Sequence, residues 1–348
     1  MPLNLVEFGQ HADGSAAFAF RLRSASLDAW FIERGASLVR LRAPDRSGVP
    51  GDVVLGFDAW HGYQQSHPYL GAVVGRHANR IRDARFPLDG RIVRLAPNDG
   101  SHHLHGGPTG LDRRDWRASV LDDGDSPAIE FAVHSEDGDQ GYPGALEARV
   151  CYRLDGARLQ IDYLAASTAP TPVNLTQHAY LDLSGNGDIR GHQLQLAADR
   201  YLPVDAGLIP TGELRPVDGT PFDFRGGASI GERLQALASA EPESPGFDHC
   251  FVLQGSAGRM RPALRLSDPA SGRSLRLLTD QPGLQLYTGN FLDGSLLGRG
   301  GRALQRHAGL CLEAQGFPDA PNQPRFPDAI LRPGAVYRQS TVLEFSAA

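Results

Sequence analysis

Residues 146–164 read LEARVCYRLDGARLQIDYL. Leu146, Ala148, Val150 and Tyr152 alternate with charged or polar neighbours, and after Asp155-Gly156 the alternation resumes at Leu159, Ile161 and Tyr163. A period of two is that of a strand with one buried face, and two such runs about Asp-Gly predict a β-hairpin. The pattern extends outward in both directions, over 17–22, 27–32, 37–41, 128–133, 193–197, 264–266, 275–278 and 342–345. Further turns are marked by Asp89-Gly90 and Ser271-Gly272, and the 41 glycines and 25 prolines are spread at turn spacing. Many strands in meander order predict an all-β antiparallel sandwich or barrel with at most one or two short helices. The clearest helix spans 229–239, where Ser229 and Glu232 form a capping-box pattern and Ile230, Leu234 and Leu237 share a face. With no fixed repeat, low-complexity tract or linker, residues 1–348 read as one domain.

Composition removes several function classes. The net charge is −6 with no basic run, which argues against nucleic acid as a partner. No apolar stretch approaches ~18 residues and the first residues lack a secretory pattern, so no membrane partner and a cytoplasmic location are expected. Cys151, Cys250 and Cys311 are odd in number and far apart, and read as small core fillers rather than a disulfide framework. All 34 basic residues are arginine. Without lysine there is no Schiff-base chemistry through that side chain and no P-loop.

Two segments carry the strongest chemical signal. In VNLTQHAYLDLSG (173–185), an extended strand puts Val173, Leu175, Ala179, Leu181 and Leu183 on one face and Asn174, Thr176, His178, Tyr180 and Asp182 on the other. In GLCLEAQ (309–315), Leu310, Leu312 and Ala314 share a face opposite Cys311, Glu313 and Gln315. An imidazole and a carboxylate on rigid strands are equipped for general acid–base work. Near them in kind are Asn79-Arg80, the histidines His102, His103 and His105, the pair Asp248-His249, and Gln285 with Tyr287 on one face of a strand. Arg76 reads equally well as scaffold. His103-Leu104-His105 resembles a cupin metal pair, but Thr109 and Gly110 stand where a cupin places its glutamate, so no metal is expected. Asp248 and Glu313 also suit a glycoside hydrolase pair, a reading that leaves His178 and His105 idle.

Taken together, ANRI (78–81), LHGG (104–107), GYPG (141–144), PVNLTQHAYLDLSG (172–185), LIPTGE (208–213), GTPFDFR (219–225), GFDH (246–249), QPGLQLYTGNFLDG (281–294), CLEAQ (311–315) and NQPRFP (322–327) resemble the aldose 1-epimerase (galactose mutarotase) family over nearly the whole chain. The resemblance implies a large antiparallel β-sandwich. It carries the general base onto Glu313, the general acid onto His178, and sugar contacts onto Asn79, Arg80, His105, Asp248 and Gln285. It implies a free monosaccharide of the galactose/glucose class as substrate, no cofactor, and a monomer or homodimer. His102 and Cys250 depart from the family pattern, which has asparagine at both; His102 is expected to point into the pocket mouth.

The expected chemistry is the opening and reclosure of a hemiacetal. Glu313 takes the proton of the C1 hydroxyl while a protonated His178 supplies one to the ring oxygen, a nearby carboxylate helping to raise its pKa. A sugar-binding module that has kept the pocket, and the hydrolase, are the competing readings.

Overall fold

The computed structural model describes residues 3–11 and 13–348. The quoted hairpin forms as Leu146–Asp155 paired antiparallel with Arg158–Ser167, and the strands expected on either side of it are present with ends shifted by a few residues, the segment from 173 excepted. At Asp89-Gly90 both residues take left-handed φ (47° and 80°), the condition for a tight two-residue hairpin turn between Arg85–Leu88 and Arg91–Arg94.

Two large antiparallel sheets pack face to face. The wider has nine strands in the order Arg117–Asp122, Ala128–Ser135, Leu146–Asp155, Arg158–Ser167, Tyr337–Ala347, Arg273–Thr279, Arg261–Ser267, Gln193–Leu196 and Ala228–Ser229. The second has six: Tyr180–Leu181, Leu310–Gln315, Gly283–Tyr287, Asp248–Leu253, Ala198–Tyr201 and Arg215–Pro216. Leu159, Ile161, Leu277 and Leu343 from the first meet Leu284, Leu286, Leu310 and Leu312 from the second in one hydrophobic cluster. Each such side chain contributes roughly 1.5–3 kcal/mol on burial, and their shared face fixes which residues of the six-stranded sheet point away from the core. A five-stranded sheet (residues 3–52) adds Ala29, Phe31 and Leu41 to the same cluster.

The helix is Ile230–Ala240, with Ile230 and Leu237 buried. The capping box does not form: the Ser229 hydroxyl donates to the Arg190 carbonyl instead, tying the helix start to a neighbouring loop. A second, four-residue helix spans His61–Gln64.

One expectation fails in an informative way. Residues 173–183 keep their two faces, with Val173, Leu175, Ala179, Leu181 and Leu183 all in the core, but they are not a single strand. Thr176–Gln177 pairs with Val73–Val74, and Tyr180–Leu181 then pairs with Leu310–Cys311. His178 sits where the chain changes partner, its N–H donating to the Ala72 carbonyl and its own carbonyl accepting from Gly71. The segment crosses from a short ladder to the edge of the six-stranded sheet, which delivers His178 beside the strand bearing Glu313.

Candidate active site

Register on the six-stranded sheet assembles the centre. Because Leu310, Leu312 and Ala314 face the core, Cys311, Glu313 and Gln315 face outward, under loops that bury them as well. Gln285 stands opposite Glu313 and Cys250 opposite Gln285, while Asp248, Tyr287, Cys311 and Tyr180 make the next row. Asp248 accepts a 2.7 Å bond from the Gln285 amide. Glu313 is 2% exposed; its Oε1 is 3.9 Å from His178 Nε2 and its Oε2 has no partner.

The opposite wall comes from two loops locked to each other. His105 N–H donates to the Asn79 carbonyl at 3.1 Å, and the Asn79 N–H donates to His105 Nδ1, also at 3.1 Å. Asn79 and His105 both sit in the left-handed region, at φ 63° and 50° respectively. Gly106 follows at φ 93°, where a Cβ would lie 1.8 Å from the Gly75 carbonyl oxygen, so only glycine lets the His105 loop approach this closely. Arg80 points inward with its Nε bonded to Asp99 at 2.7 Å and a terminal nitrogen 3.8 Å from Asp248.

These groups enclose a cavity of about 100 Å³ lined by Asn79, Arg80, His105, His178, Asp248 and Glu313 together with Pro68, Tyr69, Leu104, Tyr180, Tyr287 and Phe291. Six of the seven residues expected from sequence line it directly; Gln285 reaches it through Asp248. The roomier grooves, of about 480 and 650 Å³, lie over the outer face of the nine-stranded sheet around Arg225, Arg265 and Arg276, and bring no acid–base pair together. Clefts that engulf whole ligands run ~300–1,000 Å³; a cavity of this size encloses only part of such a ligand.

Burial dominates the electrostatics. It pushes the Glu313 carboxyl well above the usual carboxylate range, with the Asp248 charge adding to the effect and Arg80 opposing it. It raises Asp248 too, against the pull of Arg80 and the Gln285 amide. His178 is driven down to about 4 and His105 well below its ordinary value, both chiefly by desolvation. The expectation that a nearby carboxylate raises the His178 pKa is therefore corrected: burial lowers it and favours the neutral imidazole, while the same burial favours the protonated form of Glu313. Two groups this close titrate as a pair, and a proton moved from Glu313 to His178 would leave a carboxylate beside an imidazolium.

His105, His178 and Glu313 each offer a ligand atom within 4.8 Å of the others, a set that invites a metal test. His105 argues against it. Its Nδ1 accepts the Asn79 N–H, so the neutral ring carries its proton on Nε2, the nitrogen a cation would need bare. The same tautomer makes His105 a hydrogen-bond donor. His103 faces elsewhere, its nitrogens engaged by the Ala96 carbonyl and the Tyr142 hydroxyl, so His103-x-His105 is not a chelating pair.

Other expectations are corrected by position. His102 does not point into the mouth: its Nδ1 accepts the Asp83 N–H at 3.0 Å, and its Nε2 lies against Gly207. Arg76 is scaffold, 2% exposed and bonded to Ser135, Glu136 and Gly144. His249 packs among Phe222 and Tyr201 on the sheet's core side. Cys311 is more than filler, since its Sγ is 3.5 Å from His178 Nδ1. Tyr180, Tyr287 and Cys311 shared polar faces with chosen residues and were within reach of the alternation argument, whereas Pro68, Tyr69 and Phe291 lie outside strands, where no period marks them.

The comparisons agree with this geometry. Residues 19–344 match the family model described as Aldose 1-epimerase. A galactose mutarotase from Rattus norvegicus is 46% identical over 344 residues, covering 98% of each chain. An aldose 1-epimerase from Escherichia coli is 40% identical over 340 residues, covering 96% of this chain and 97% of that one. The crystal structure of a galactose 1-epimerase from Lactobacillus acidophilus superposes with a TM-score of 0.87 at 27% identity, covering 99% of each chain. By sequence and by fold the chain belongs to the aldose 1-epimerase family, an isomerase that interconverts the α and β anomers of aldoses.

Proposed function

We propose that this enzyme acts on free hexoses of the galactose/glucose class, with Glu313 as general base and His178 as general acid. The observation that carries the assignment is the buried pair itself, Glu313 Oε1 and His178 Nε2 3.9 Å apart across the floor of one cavity. Sugar binding brings polar hydroxyls into a dry site, and the shared proton passes to His178. Glu313 then removes the proton of the C1 hydroxyl. The C1–ring-oxygen bond breaks, its electron pair goes to the ring oxygen, and His178 Nε2 protonates that oxygen. Rotation about C1–C2 presents the other aldehyde face, and the same two transfers run backward to close the ring. Each positioned transfer is worth about 10²–10⁴ in rate. Both oxygens sit on one carbon, so acid and base belong side by side.

The remaining groups hold the sugar. His105 donates through Nε2, Asp248 accepts from hydroxyls while Gln285 and Arg80 steady it, and Asn79 fixes the His105 loop and lines the cavity beside it. A phosphorylated sugar fits poorly. Arg80 is the one arginine lining the cavity among the described residues, and it is already shared by Asp99 and Asp248. The names of the mammalian and bacterial relatives support galactose as a substrate.

The reading takes residues 1–348 as one domain, supported by a core cluster that draws on all three large sheets. It places the enzyme in the cytoplasm as a monomer or homodimer. All three cysteines are free thiols, which suits a reducing compartment, and among the described residues no helix is long and apolar enough to cross a membrane. Polarimetry of freshly dissolved α-D-galactose and α-D-glucose tests the function: the approach to equilibrium should quicken with wild type and not with Glu313→Gln. Equal rates for the two proteins would remove Glu313 from the base's role.

A further inference from the structure

We propose that Cys311 is a positioning residue for His178: its sulfur holds the imidazole by Nδ1–H, leaving Nε2 as the nitrogen that gives up and takes back the ring-oxygen proton. The inference rests on the acid–base assignment above and extends it to a residue that touches no substrate. Cys311 Sγ lies 3.5 Å from His178 Nδ1 and is, among the described residues, the hydrogen-bond partner of that ring. The contact is built into register. Cys311 precedes Glu313 by two positions and so leaves the strand on the same face, and it pairs with Tyr180, two positions after His178. One strand thus supplies both the base and the group that grips the acid.

The other neighbours of the ring do different things. Glu313 stands at Nε2, and the rings of His105, Tyr180 and Tyr69 pack at 5.2, 5.2 and 5.5 Å between centroids. Tyr287 lies farther out at 6.4 Å, and His67, itself lowered to about 4 by burial, opposes protonation of the His178 ring. Among the described residues Cys311 is the side chain hydrogen-bonded at Nδ1, where the backbone of His178 itself adds to the hold on the ring.

The chemistry explains why a thiol suits the place. In the forward step the Nε2–H bond breaks and the bond from the ring oxygen to hydrogen forms, while Nδ1 keeps its proton. The neutral ring must stay in that tautomer, because only then does Nε2 carry the lone pair that recovers the proton on closure. Sulfur accepts the Nδ1–H weakly. A carboxylate there would stabilise the imidazolium and make it a poorer acid. A hydrocarbon would free the ring to settle with its proton on Nε2, the tautomer that cannot act. Burial beside Glu313 pushes the Cys311 thiol well above its ordinary pKa, so it brings no charge of its own.

The test compares wild type, Cys311→Ala, Cys311→Ser and Glu313→Gln. Anomerisation rates are followed by polarimetry against pH, and the tautomer of the His178 ring is read from long-range ¹H–¹⁵N spectra of labelled protein. Wild type should show the neutral ring protonated on Nδ1. Cys311→Ala should lose kcat by about five- to tenfold, the worth of one ordinary hydrogen bond, with KM little changed and the tautomer shifted towards Nε2–H. Cys311→Ser should recover most of the rate and move the acid limb of the pH profile upward, because a hydroxyl accepts more strongly. A wild-type ring protonated on Nε2 overturns the inference whatever the variants do. So does a Cys311→Ala protein with wild-type kcat and pH profile beside an inactive Glu313→Gln. If wild type itself leaves the sugars untouched, the acid–base assignment fails and the inference falls with it.

Discussion

Replacing Glu313 by glutamine should make the protein less active and, above acid pH, more stable. In the folded chain Glu313 is buried, one of its oxygens is unpartnered, and Asp248 is close, so its carboxyl keeps its proton to a higher pH than in the unfolded chain. Below about pH 4.5 both states are protonated and the group costs nothing. As pH rises past that value the unfolded chain ionises freely and the folded one does not. Unfolding then releases a proton, and wild type loses about 1.4 kcal/mol per pH unit until the folded pKa is reached, after which the loss is constant. Glutamine has nothing to titrate. With an unfolding entropy of about 2.1 cal/mol/K per residue, 348 residues give about 0.7 kcal/mol/K, so each unit of pKa elevation corresponds to about 2 °C in Tm. Melting curves of the two proteins from pH 4 to 8.5 should therefore run parallel at the acid end and diverge upward for Glu313→Gln, with a plateau at the folded pKa. The same variant should lose about 10²–10⁴ of its rate. A Tm difference that is flat across the range, or that favours wild type increasingly as pH rises, would refute the picture of a carboxyl held protonated by burial.

Three further outcomes follow from the same geometry. The rate of anomerisation should be bell-shaped in pH: it falls as pH drops towards about 4, where His178 gains a proton while Glu313 still holds one and no base is left, and falls again when pH exceeds the raised value of Glu313, where the pair has no proton to give. A single rising limb in the pH profile of kcat would contradict a pair sharing one proton. His102→Asn should leave KM for galactose unchanged and lower stability by about 1 kcal/mol, because His102 bonds to the Asp83 backbone and not to the cavity; a several-fold change in KM would place it at the mouth after all. Gly106→Ala, with its Cβ driven into the Gly75 carbonyl, should cost more than about 3 kcal/mol and yield little soluble protein, and a wild-type melting temperature would show that the loop can yield.

Alternation is a local signal, and it was sufficient wherever a strand has one wet and one dry face. It located the hairpin at Asp155-Gly156 and put Glu313 and Gln285 on outward faces, as the structure has them. It also sorted residues 173–183 correctly by face while misjudging them as one strand, because a change of pairing partner leaves no mark on a period of two. The assignment of Asn79, Arg80, His105 and Asp248 to one place came from the family resemblance, since no periodicity links positions so far apart in the chain. Protonation was the least legible property. A lone strand pattern shows that His178 leaves the sheet on its polar face, but not that loops bury that face, and it is the burial that reverses the expected charge state. His102 was misjudged for a related reason: a histidine in a turn-rich stretch has several directions open, and the Asp83 backbone claimed it. The capping box at Ser229 failed likewise, to a competing carbonyl from a distant loop.

The ladder between Gly283–Tyr287 and Leu310–Gln315 carries a consequence for how such an enzyme can change over time. Gln285 faces Glu313 because two strands are aligned residue for residue, and the connection between them, from 288 to 309, has no part in that alignment. Beyond Phe291 it can lengthen or shorten across descendants without moving Glu313. One residue gained or lost between Leu310 and Glu313 is another matter: it would bring Leu312 or Ala314 out to face the sugar and bury the carboxylate among leucines. Variation is thereby channelled into the rim of the cavity and kept from the strand that carries the proposed base.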